Sequence, residues 1–136
     1  METPSSMKAW DTNLLVRHLV EDDAAQLKVV RRELELAARR GAPVWIADVT
    51  LVESFWVLRH GYGLEADAVC EVLLALTEDA RFGFQSGADV RLALERTRIK
   101  GDFPEHLISL AARRAGAVKT QTFDRAVKRF AEFKVL

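Results

Sequence analysis

A mostly parallel α/β sheet with helices on both faces is the fold class this sequence predicts. Three observations predict it. Short, apolar, β-rich runs alternate with longer stretches of helical spacing. Two of those runs end on an acid, Asp11 and Asp124. Glycine and proline fall between the elements, at Gly41, Gly61, Gly63, Gly101, Pro104 and Gly116. Sequential strands joined by helices imply parallel pairing with right-handed crossovers.

The first strand is Met7 to Asp11, and the first helix starts at Thr12 or Asn13 and runs to Val20. Asp23 followed by Gln26 has the form of a capping box. It opens a helix from Ala24 to Arg40, with Leu27, Val30, Leu34 and Ala38 on its apolar face and Gly41 as its stop. Pro43 to Ala47 is continuously apolar, as a strand covered on both faces should be. Asp48 caps a helix from Val49 to His60, and a further helix spans Glu65 to Glu78. Phe82 to Phe84 reads as an edge strand. Gly87 to Ile99 is helical, with Val90, Leu94 and Thr97 on one side. Pro104 suits the first turn of the next helix, where a missing N–H costs nothing. That helix turns Leu107, Ile108, Leu110 and Ala111 inward and ends at Gly116. Val118 to Thr122 is a strand, Arg125 to Phe130 a short helix, and Phe133 to Leu136 the last strand.

The chain has 136 residues, of which 49% are apolar and 29% charged, as expected of one globular domain over residues 7–136. Met1 to Ser6 reads as a disordered extension without the basic and apolar regions of a secretory signal. No apolar run approaches the ~20 residues that span a membrane. The single cysteine, Cys70, excludes an internal disulfide and a cysteine-rich zinc site. A buried thiol and a reducing cytoplasm fit it. Twenty acids balance twenty bases, so RNA binding needs a local basic patch or a cation held by acids.

The chemistry lies in the acids. Asp11 and Asp124 end strands, and Glu53 sits in a helix among apolar neighbours, where a carboxylate is costly to bury without a cation or donors. Asp102 and Glu105 bracket a helix start. If the strands are parallel, their C-terminal ends share one sheet edge, where open α/β sheets bind ligands. Oxygen ligands without paired His or Cys favour Mg²⁺ or Mn²⁺ over zinc. Each acid also has a plainer reading. Asp11, Asp102 and Asp124 can cap helices, Glu53 can face solvent, and Glu105 can answer a helix dipole.

The stretches Met7-Lys8-Ala9-Trp10-Asp11-Thr12-Asn13-Leu14-Leu15-Val16-Arg17, Val49 to Leu58, Gly101 to Ile108 and Thr122-Phe123-Asp124-Arg125 resemble, in order and spacing, the motifs of PIN-domain ribonucleases, especially VapC toxins. The resemblance implies a three-layer α/β/α sandwich with a central parallel sheet. It implies Mg²⁺- or Mn²⁺-dependent cleavage of RNA, a homodimer, and silencing by a small VapB-like antitoxin. It assigns Asp11, Glu105 and Asp124 to the ion, and Glu53 to the ion or the attacking water. Thr12, Asn13 and Thr122 become hydrogen-bonders behind the carboxylates. The family usually has aspartate where this chain has Glu105, which leaves Asp102 and Glu105 as alternatives for the third ligand.

Arg17, Arg59, Arg125, Lys128 and Arg129 are candidates for RNA phosphates, with a solvated face as the plainer reading. Trp10, Trp45 and Trp56 fall in core patterns, and His106 reads as a surface histidine beside Glu105. The apolar Glu65 to Glu78 segment is a candidate dimer or antitoxin contact. Two competing readings differ in class. One is a PIN-like module that binds RNA or protein without cutting. The other is a receiver-like α/β domain, which fits poorly because Lys119 lies inside a strand.

Overall fold

Helix starts follow the acids. In the computed structural model, which describes residues 7–136, Asp11 caps α1 (Thr12–Val20) and Asp23 caps α2 (Ala24–Arg40). Each carboxylate accepts a backbone N–H three residues on, from Leu14 and Gln26, satisfying a donor the helix leaves unpaired. Gly41, at φ +70°, ends α2 in the left-handed region. The expected extension over 1–6 lies outside the described residues.

The described residues pack as two compact units that divide between Gly87 and Ala88. The first contains α1, α2, β1 (Val44–Ile46), α3 (Asp48–Trp56), α4 (Ala66–Thr77) and β2 (Phe82–Phe84). β1 and β2 pair in parallel, Val44 with Phe82 and Ile46 with Phe84. The segment before α1 adds to β1 on the same terms. Ala9 bridges Trp45 in parallel, Trp10 N–H donates to Trp45 O at 3.2 Å, and Trp45 N–H donates to Lys8 O at 2.8 Å. Leu15, Ile46, Leu51, Leu58, Val69 and Leu73 are fully buried, each such side chain stabilising the fold by about 1.5–3 kcal/mol.

The second unit takes in α5 (Gly87–Ile99, which starts at the boundary), α6 (Phe103–Arg114), β3 (Thr120–Thr122), a 3₁₀ turn over Arg125–Val127 and β4 (Phe133–Val135). β3 and β4 are parallel, with Thr122 opposite Val135. Asp89 of α5 and Arg114 of α6 form a two-pronged ion pair, Arg114 Nη2 donating to Asp89 Oδ1 at 2.8 Å and Nε to Oδ2. That pairing holds the Asp89 carboxyl below its usual range. Arg96 reaches Glu132 at 3.2 Å and lies over the Phe130 ring.

The molecule is thus mixed α/β with short parallel strands. Among the described residues these strands form two separate two-stranded ladders. No described helix is long and apolar enough to cross a membrane.

Several local expectations need correction. Asp48 does not cap α3: the cap is Ala47, and Asp48 is the first helical residue, its N–H donating to Gln85 at 3.0 Å. The helix expected to run to His60 changes at Val57 into a π turn ending at Gly61. There Tyr62 N–H reaches back five residues to Val57 O at 3.1 Å. Ala37, not Ala38, faces inward on α2, and Ile108 and Ala111 on α6 are exposed. On α6 the helical repeat of Phe103, His106, Leu107 and Leu110 sets the buried stripe, so His106 is inside and Ile108 is out.

Candidate active site

In the first unit, parallel pairing of the leading segment puts Asp11 at the end of an extended run, directly before α1. Its Oδ1 accepts Leu14 N–H at 3.1 Å, so the capping role holds, and the side chain remains exposed. The next residue, Thr12, donates its hydroxyl to Glu53 Oε1 at 2.8 Å, tying the start of α1 to the middle of α3. Glu53 is exposed, so the cost-of-burial argument made for it does not apply. Asn13 is also exposed. A groove of about 400 Å³ between α1 and α2 is lined by Asp11, Asn13, Leu14, Arg17 and Val29.

Arg17 is engaged within this unit. Its Nη1 donates to Asp22 Oδ1 at 3.0 Å and to Tyr62 Oη at 2.9 Å, its Nε donates to Gln26, and Tyr62 in turn donates to Asp22 Oδ2 at 2.7 Å. The Tyr62 hydrogen bond and the Arg17 charge hold the Asp22 carboxyl low. Sequence reasoning missed this network, because Tyr62 lies in a Gly-Tyr-Gly turn that only the π turn aims back at Arg17.

In the second unit, three expected residues meet around one hydroxyl. Thr122, the last residue of β3, donates Oγ1 to Glu105 Oε1 at 2.9 Å and accepts Asp124 N–H on the same oxygen at 3.0 Å. Asp124 Oδ1 accepts Ala126 N–H at 2.9 Å, which starts the 3₁₀ turn. Burial raises the Glu105 carboxyl above its ordinary value, and the adjoining Asp124 carboxyl adds to that, with Thr122 opposing. Asp124 shifts the other way, held low by the Ala126 amide and by its hydrogen bond with Glu105. Two carboxyl groups in contact cannot both ionise cheaply, so Asp124 keeps its charge and Glu105 holds a proton more readily.

Asp102 occupies the N-cap of α6, is exposed and makes no side-chain capping bond. Its charge adds a further, smaller push to Glu105.

Behind Glu105 the helix is anchored by His106, which the sequence placed at the surface and the structure buries completely. Its Nε2 hydrogen-bonds Lys100 O at 2.7 Å, and Phe130 and Phe133 meet the ring edge-on. Gly101 makes room for it. At φ +90°, a Cβ there would lie 2.8 Å from Val127 Cγ1 and 2.9 Å from His106 Nε2. The signal for burial was present, since His106 falls on the apolar stripe of α6.

Of the basic candidates, Arg59 donates to Leu64 O at 2.8 Å, while Arg125, Lys128 and Arg129 are exposed on and after the 3₁₀ turn. Trp10 is buried, but Trp56 is 58% exposed and stacked against His60, against the core placement expected of it. The apolar residues of α4, Val69, Cys70 and Leu73, are buried.

Among the described residues no three His, Cys, Asp or Glu side chains form a group able to hold a metal ion. The Glu105–Asp124 pair nevertheless has the donor chemistry of a hard divalent cation. Mg²⁺ is commonly held by one or two carboxylates, with water and phosphate completing its shell.

Comparison with known proteins returns a relative of matching length. The chain is 23% identical over 124 residues to a VapC ribonuclease of Aquifex aeolicus (strain VF5), covering 90% of this chain and 91% of that protein. The resemblance read from the sequence motifs is borne out by this match. No family model matches the chain, and no solved structure does.

Proposed function

We propose that this protein is a Mg²⁺- or Mn²⁺-dependent endoribonuclease, the toxin half of a VapBC-like pair, built as a PIN-like α/β/α sandwich. The observation that carries this reading is the Glu105–Thr122–Asp124 cluster, in which one hydroxyl joins the Glu105 carboxyl group to the Asp124 backbone amide and the Asp124 carboxyl raises the proton affinity of Glu105. An acid whose proton affinity is shifted by burial and by a specific charged neighbour is a candidate for a functional site. The full-length similarity to a VapC ribonuclease supports the same reading.

Glu105 and Asp124 would hold the cation, with Glu105 rather than Asp102 in the third-ligand role, because Glu105 is hydrogen-bonded to Thr122 and adjoins the Asp124 carboxyl. A bound divalent ion supplies charge for phosphate oxygens and a water of lowered pKa. The residues of the chain do the rest. The Ala126 amide keeps Asp124 ionised and fixed. Thr12 holds Glu53 by a hydrogen bond, and the resemblance assigns Glu53 to the ion or the attacking water. Asp11, held by the Leu14 amide, is the remaining carboxylate that the resemblance assigns to the ion. Arg125, Lys128 and Arg129 offer charge to the RNA backbone. The proposed partners are an RNA substrate, a VapB-like antitoxin and a second copy of the chain, in the cytoplasm.

The test is cleavage of single-stranded and structured RNA by purified protein with Mg²⁺, Mn²⁺ or EDTA. Cleavage that needs the ion and disappears in Asp124→Asn supports the reading. Intact RNA under every condition, with no growth arrest on induction, sinks it. A second reading, a PIN-like module that binds RNA or protein without cutting, is favoured by the lack of a three-residue metal group among the described residues. It predicts RNA retention without cleavage.

A further inference from the structure

Phe123 stands between the two residues that organise the acidic pair, and its side chain is 84% exposed. An aromatic ring so open to water forgoes the burial that usually justifies it. Its backbone is held on both sides. Thr122 Oγ1 accepts the Asp124 N–H across it at 3.0 Å, and Asp124 Oδ1 accepts the Ala126 N–H just beyond it at 2.9 Å. The ring is therefore presented from a fixed turn, next in sequence to Asp124, rather than carried on a loose loop. The residues that follow supply charge. Arg125, Lys128 and Arg129 are all exposed, and none of them has an ion-pair partner among the described residues. An exposed aromatic interleaved with cations is the chemistry that holds single-stranded nucleic acid. The ring stacks on a base, and the cations follow the phosphates.

We propose that Phe123 is a stacking platform for an unpaired nucleobase next to the phosphate to be cleaved, making the ribonuclease selective for single-stranded over paired RNA. The inference rests on the ribonuclease reading above. Phe123 is a substrate-contacting residue that positions the strand; the acids perform the chemistry. A paired base is already stacked within its helix and offers the ring no face, which is why the preference follows. Any base has such a face, so the platform selects strandedness more than sequence.

The experiment measures binding of fluorescein-labelled oligo(rU) and oligo(rA) of twelve nucleotides, and of a duplex of the same length, to wild type, Phe123→Ala and Phe123→Trp. Binding is read in EDTA so that no probe is cut, and cleavage of the single strands is read separately with Mn²⁺. Because the ring is exposed, Phe123→Ala should melt as wild type does. Its single-strand affinity should fall about tenfold or more, with duplex affinity unchanged, since stacking on one base is worth about that much. Phe123→Trp should restore it. Single-strand affinity unchanged in Phe123→Ala, in a wild type that binds and cuts RNA, overturns the platform and leaves the ribonuclease reading intact. So does a Phe123→Ala variant whose only change is loss of self-association, which would make the ring a contact between copies of the chain. A wild type that neither binds nor cuts any probe overturns both.

Discussion

The two units hold their acids differently. In the first, Asp11 and Glu53 are exposed, each oriented by one hydrogen bond, from the Leu14 amide and the Thr12 hydroxyl. In the second, Glu105 and Asp124 are half-buried, meet around Thr122 and shift each other's proton affinity in opposite directions. The difference teaches where placing an acid costs the fold most. A carboxylate in water that caps a helix stabilises its surroundings. A carboxyl raised by burial and by a second acid destabilises its own charged form.

On the ribonuclease reading proposed above, the largest effect should come from breaking the second set. Asp124→Asn should take cleavage to background, and Asp11→Asn should do the same if the first set serves the same reaction. An Asp11→Asn enzyme that retains full activity would confine the chemistry to the second unit. Glu105→Gln should also abolish cleavage, yet raise the melting temperature of the metal-free protein. At neutral pH it removes a charge the fold holds unfavourably. A Glu105→Gln protein that melts below wild type would mean the acid is stabilising where it stands.

Thr122→Val and Thr12→Val compare the two sets through the hydroxyls behind them. Loss of an orienting group typically costs 10- to 100-fold, and Thr122→Val should lie at the upper end because its oxygen serves two partners. It should also displace the acid limb of the pH–rate profile to higher pH, since Thr122 is what opposes the rise in Glu105. Thr12→Val should lower the rate without that displacement.

Gly101→Ala tests the support under Glu105. Its Cβ would collide with Val127 and His106 at a left-handed φ, costing about 1–3 kcal/mol of stability in thermal or urea unfolding. A smaller effect is shared by both units. His18, against Trp10 and Phe82, and His106, against Phe130 and Phe133, are held below the ordinary histidine value by burial. Both rings fold neutral, so their contribution is complete above the unfolded value of about 6.5. Below it the unfolded chain takes up protons the folded one refuses, and stability falls until pH passes the folded values. The melting temperature should therefore drop from about pH 7.5 to about pH 5.5, and a flat profile would show that the rings titrate freely.

Much of this was legible in the chain. Asp23, Gly41, Pro104 and the apolar spacings of α1, α2 and α5 locate helices, because caps and periodicity act over a few residues. Asp11, Glu53, Glu105 and Asp124 stood out through motif order. The spacing of α6 also held the burial of His106, which was overlooked because histidine is read as polar. The fate of Trp56 could not be read: α3 is apolar nearly all round, so periodicity does not choose which aromatic faces water.

By itself the sequence determined the short-range matters: where helices start and stop, that the strands pair in parallel, and which acids stand at element ends. Only the tertiary structure decided that Thr122 would place its oxygen between Glu105 and Asp124, that a π turn would bring Tyr62 to Arg17, and that Phe123 would be left in water. Caps and turns depend on neighbours a few residues apart. A shared hydroxyl 17 residues from its acid, or a tyrosine 45 residues from its arginine, depends on how packed elements meet, and local preference carries no record of that.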